Sequence, residues 1–99
     1  MEVFRIYKEM DISYRELSSM LRKLGYREER LPNQIRYVHD EFNSVVQLPL
    51  PRKNEDENVL KALIVGYSYA LWAKGVIEDP HDLAKMIEKE RLALLSSAA

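Results

Sequence analysis

The sequence predicts an α+β fold with an α-β-β-β-α core. A three-stranded antiparallel meander carries helices on one face, and an extra C-terminal helix follows. Three observations lead there: a helix start specified twice over at Ser13, three short extended segments separated by turn residues, and a long apolar stretch at helical spacing after Asn54. Each flanking helix has one apolar side to bury, and a sheet is the surface that can take both. The chain of 99 residues is read as a single domain, since that length holds one core.

The first ten residues fit a helix through Val3, Ile6, Tyr7 and Met10, although Phe4 and Ile6 also suit a short strand; the helix is the reading adopted. At Ser13 the signal is sharper. Ser13 and Glu16 have the spacing of a capping box, and Ile12 and Leu17 that of a hydrophobic staple. Tyr14, Leu17, Met20, Leu21 and Leu24 then share one helical face until Gly25, a left-handed cap. Tyr26 to Leu31 reads as a strand ended by the Pro32-Asn33 turn. In Gln34 to His39, Ile35 and Tyr37 fall on one face and Arg36 and Val38 on the other. Val45 to Leu48 is β-branched and apolar, and Pro49 and Pro51 close it.

A helix is expected from Asn54 to Lys74, with Asn54 and Glu57 as a capping pair and Gly75 beyond its end. Its apolar stripe comprises Val59, Leu60, Leu63, Ile64, Tyr67, Ala70 and Leu71. Asp79-Pro80 is an N-cap and first-turn pair for a last helix with Leu83, Met86 and Ile87 inward, and Leu92 to Ala99 is expected to fray.

Composition narrows the function classes. With no cysteine, disulfides, thiolate metal sites and cysteine nucleophiles are excluded. Met1 to Met10 carries four charges and lacks the apolar run of a signal peptide, and Val59 to Val76 is interrupted by Lys61 and Lys74, so neither reads as a membrane segment. A cytoplasmic location is the expectation. Net charge is −1, so no global field draws the chain to nucleic acid. Residues 1–53 hold ten Lys/Arg against eight Asp/Glu, a net of +2, and residues 54–99 hold five against eight, a net of −3.

From Tyr14 to Pro49 the chain resembles HicA-type toxins. The resemblance rests on Tyr14-Arg-Glu-Leu through Leu24-Gly25-Tyr26, on Asn33-Gln-Ile-Arg-Tyr-Val-His-Asp, and on Val45-Val-Gln-Leu-Pro. It implies a double-stranded-RNA-binding-like fold, a small ribonuclease acting on messenger RNA, and an antitoxin-like protein partner. The family carries its active histidine at the start of the second strand, within Gly-Ser-His. Here those positions read Pro32-Asn33-Gln34, and glutamine cannot exchange a proton near neutral pH. The family is also usually basic. The expectation is therefore a non-catalytic HicA-like module acting through protein or nucleic-acid contacts, the alternative being a divergent ribonuclease using His39.

His39 is the catalytic candidate, placed at a strand end beside Asp40 and Glu41, which would orient its ring. The plainer reading is an exposed histidine in a turn. His81 and Asp82, near Glu78 and Asp79, match no metal motif and read as helix-start residues, so no metal or cofactor is expected. Arg15, Arg22, Lys23, Arg27, Arg36, Arg52 and Lys53 are the candidate phosphate contacts, with Arg30 beside them; the interspersed acids favour a solvated mixed surface. Val65, Tyr69, Trp72 and Val76 lie off the core stripe and are the candidate interface of a homodimer.

Overall fold

The computed structural model describes residues 2–98 and sets out α1 (Glu2–Lys8), α2 (Tyr14–Lys23), β1 (Arg27–Leu31), β2 (Gln34–His39), β3 (Ser44–Pro49), α3 (Lys61–Ala73) and α4 (Asp82–Ala98). The α+β class and the meander are as the sequence predicts, and the ambiguous N-terminal segment is helical.

α2 begins where two orphan N–H groups are met reciprocally. The Glu16 N–H donates to Ser13 Oγ at 3.1 Å, and the Ser13 N–H donates to Glu16 Oε1 at 3.1 Å. It ends in a Schellman motif: the Gly25 N–H donates to Arg22 C=O and the Tyr26 N–H to Leu21 C=O, both at 3.0 Å. That geometry puts Gly25 at φ +103°. The strand therefore starts at Arg27, one residue later than Tyr26, whose N–H the helix end still holds.

β2 is the central strand, antiparallel to β1 and β3. The register aligns Glu28, Tyr37 and Val46 across the sheet, and Arg30, Ile35 and Leu48 in the next row on the same face. Ile35, Tyr37, Val46 and Leu48 are buried there against the helices. The opposite face carries Arg27, Glu29, Arg36, Val45 and Gln47. α2 packs with α4, and α1 with α3. Leu17, Leu21, Ile64, Leu71, Leu83 and Ile87 fill the space between.

The helix expected from Asn54 begins at Lys61 instead. Asn54 Oδ1 accepts the Asp56 N–H, and Glu57 Oε1 accepts the N–H groups of Arg52 and Lys53, so neither residue caps α3. The backbone of this segment pairs with the entry to α2. Tyr14 N–H donates to Glu57 C=O, Arg15 N–H to Glu55 C=O, and Val59 N–H to Ile12 C=O. Those bonds hold it out of helix, as a turn over Asn54–Glu57 followed by a bridge from Asn58 to Ser13, and Leu60, expected inward, is 70% exposed.

α4 starts at Asp82, three residues after Asp79. The Asp82 carboxylate accepts the N–H groups of Glu78 and Asp79, while Asp79 accepts that of His81. Pro80 is buried, its carbonyl accepting the Tyr7 hydroxyl at 2.9 Å; the same hydroxyl accepts the Ala84 N–H at 3.0 Å. Leu83 and Ile87 face inward as expected, and helix continues through the stretch expected to fray as far as Ala98.

Candidate functional site

His39 ends β2 and is buried, not exposed as the turn reading supposed. Alternation along β2 turns it to the core face, where Tyr26 and Phe42 meet its ring edge-on at 5.1 and 4.9 Å. Nε2 lies 2.9 Å from Leu24 C=O, and the Phe42 N–H points at Nδ1 across 3.4 Å. A carbonyl needs a donor and an N–H needs an acceptor, so this pairing selects the neutral Nε2–H tautomer. The flanking carboxylates do not orient the ring. Asp40 turns to the Arg27 guanidinium at 3.2 Å, whose hydrogen bond holds its pKa below the usual carboxylate range.

Gln34, where the resembled family carries its histidine, opens the same strand. It stands on the sheet face opposite His39 and five residues away, about 17 Å along the strand. His39 and Gln34 therefore belong to different surfaces.

The candidate phosphate contacts are mostly joined to carboxylates. Arg15 meets Glu55 at 3.5 Å and Asp56 at 3.1 Å; Arg22 pairs with Glu28, and Lys23 with Glu90. On the open sheet face Arg27 binds Glu29 and Asp40, and Arg36 reaches Glu29 at 2.6 Å. These four residues sum to zero charge. Arg36 first, then Arg27, holds the Glu29 pKa low. Arg30 bridges Glu28 and Glu55, both at 2.9 Å. Burial acts to raise the Glu28 pKa, but hydrogen bonds from Arg22, Arg30 and Tyr37 outweigh it, and the net direction is down. Arg52 and Lys53 lie beside Glu57, which accepts both their backbone N–H groups, at 2.8 and 3.1 Å.

The candidate interface residues fall together on α3 and just after it. Trp72 is 48% exposed and meets Tyr69 edge-on at 6.2 Å, while Val65, Tyr69 and Val76 are half-buried. Sequence reasoning missed what lies beside them. A groove of about 520 Å³ runs between β3 and α3, lined by Val45 to Gln47 on one side and by Ala62, Gly66 and Ala70 on the other. Tyr67 stands in it, donating its hydroxyl to Gln47 C=O; burial, then the nearby Tyr14, pushes its pKa up to about 12, so it stays a donor. The available signal was the absence of any charge from Ala62 to Ala73. A smaller cleft of about 260 Å³ separates α2 from α4, lined by Met20, Ile87 and Leu94, with the Glu16–Arg91 pair alongside.

Among the described residues, no three His, Asp or Glu side chains gather as a metal site, and no helix is long and apolar enough to cross a membrane. The chain matches no family model, no curated protein and no solved structure.

Proposed function

We propose that the chain is a non-catalytic, HicA-like cytoplasmic module that works through protein contacts rather than by binding or cleaving RNA. The observation that carries this reading is the pairing of five of the seven candidate cations, Arg15, Arg22, Lys23, Arg27 and Arg36, with carboxylates of the same chain. Phosphate-binding affinity comes from cations that release counterions on contact. Here a phosphate would first have to displace Glu28, Glu29, Glu55, Asp56 or Glu90 from the arginines and lysine they already hold. The catalytic alternative has less support. A general base must reach substrate with a free lone pair, and both nitrogens of His39 face backbone groups in a buried pocket. Nor does His39 stand in for the histidine replaced by Gln34, since the two occupy opposite faces and ends of β2.

Titrating the purified chain with double-stranded RNA at about 50 and 200 mM salt tests the reading. The expected outcome is no salt-sensitive binding at either concentration. Binding that weakens steeply with salt would refute it. Cleavage of RNA by the purified chain, lost in a His39→Ala chain that circular dichroism shows still folded, would instead establish the ribonuclease.

A further inference from the structure

From Ala62 onward α3 carries no charge on any side. Ile64, Ser68 and Leu71 are buried toward the core. At helical spacing the remaining half-circumference is Ala62, Val65, Gly66, Tyr69, Ala70 and Ala73, without one charge. A helix that turns one side to water normally carries its charges there, and one apolar all round belongs in an interior. Gly66 sharpens the point. Mid-helix glycine costs about 1 kcal/mol relative to alanine, yet a Cβ built there meets nothing within 4 Å. Nothing in its own chain needs the space that Gly66 leaves. Close approach of a second backbone does.

We infer that this face joins two copies of the chain, their α3 helices packed antiparallel about a twofold axis near Gly66. The inference rests on the protein-contact reading and names the partner. Spacing favours a second copy. In a twofold antiparallel pair, the residue four before the centre lies beside the residue four after it on the partner. Those residues are Ala62 and Ala70, so the line of closest approach is small, glycine, small on both helices.

Charge agrees. The pairing brings exposed Lys74, just past the end of α3, toward the partner's Glu57, whose carboxylate accepts only backbone N–H groups, while the partner's Lys61 is already held by Asp11. Opposed helix dipoles add to the attraction.

Trp72 and Val45, 48% and 51% exposed, widen the contact beyond the helix itself. The occupant is a helix rather than an added strand, because Tyr67 holds Gln47 C=O and Pro49 offers no N–H at that edge of the sheet.

Sedimentation equilibrium of the full chain from about 1 to 500 μM tests this. Wild type is expected to show a reversible monomer–dimer equilibrium. Gly66→Leu is expected to raise Kd at least about tenfold without lowering the monomer's Tm, since its side chain enters open space. A wild type that stays monomeric throughout, or a Gly66→Leu chain that dimerises equally well, overturns the inference. The chain has no cysteine, so Ala62→Cys and Ala70→Cys chains can be mixed and oxidised. Mixed disulfides should exceed same-position ones, and the reverse overturns the antiparallel arrangement. A monomeric wild type that ignores RNA removes only the second copy, whereas salt-sensitive RNA binding removes the underlying reading.

Discussion

Replacing Gly25 with alanine strikes two things at once, and a double-mutant cycle separates them. Gly25 sits at φ +103°, and an added Cβ would lie 2.7 Å from His39 Nε2. Holding a non-glycine residue in that conformation costs about 1–3 kcal/mol. The imidazole must also give way, breaking its 2.9 Å bond to Leu24 C=O, and leaving buried polar groups unpaired costs about 1–3 kcal/mol more. Together the two terms sum to about 2–6 kcal/mol; a mid-range cost of about 4 kcal/mol is a fall in Tm of about 16–32 °C for a domain of this size. In a His39→Ala background the ring is gone and only the backbone strain remains. The second Gly25→Ala substitution should then cost about 1–2 kcal/mol less. Urea denaturation of the four proteins at one fixed concentration measures the coupling. A coupling below about 0.5 kcal/mol would refute the claim that the glycine makes room for the imidazole.

Other substitutions probe the rest of the frame. Tyr7→Phe removes the hydroxyl shared by Pro80 C=O and the Ala84 N–H; it should cost about 1–3 kcal/mol by thermal melting and speed hydrogen exchange at Ala84. Ser13→Ala should cost about 1 kcal/mol by loss of the cap, read as a lower urea midpoint. The Glu16 carboxyl is held below its ordinary value of 4.5, first by its hydrogen bond from Arg91, with burial opposing and Ser13 assisting. A depressed folded-state pKa gives stability that is full above the ordinary value and lost as pH falls through the folded value. Arg91→Gln should therefore be less stable than wild type near neutrality and converge with it below about pH 4, by urea midpoints across that range. A constant gap at every pH would remove the Glu16 linkage.

What the sequence discloses here depends on how local each signal is. The start of α2 was readable because Ser13, Glu16, Ile12 and Leu17 all act within one turn of each other. The faces of β2 and β3 were readable because alternation needs no knowledge of the rest of the chain. The segment from Asn54 to Leu60 was misread because its acidic residues and apolar spacing imitate a helix start. Its backbone instead bonds to residues 12–15, forty or more positions earlier, and no local pattern announces that. His39 was misplaced for a similar reason: parity put it on the core face, but only the fold brings Tyr26, Phe42 and Leu24 around it. The basic residues were found by composition, whereas their neutralisation depends on partners such as Glu55 and Glu90 that distant segments supply.

The two hydrogen bonds that tie the Tyr7 hydroxyl to Pro80 and Ala84 have a consequence for how the chain is made. Ribosomes release a protein from its N-terminus, so α1 emerges first and its partners some seventy residues later. The α2–β3 meander, whose contacts are near in sequence, can consolidate during that interval. α1 cannot. It waits for α3, against which it packs, and is locked only when Pro80 and Ala84 reach the Tyr7 hydroxyl. A nascent chain stalled before Pro80 should therefore show a protected sheet beside a more protease-sensitive α1, and release past Ala84 should complete the protection of α1.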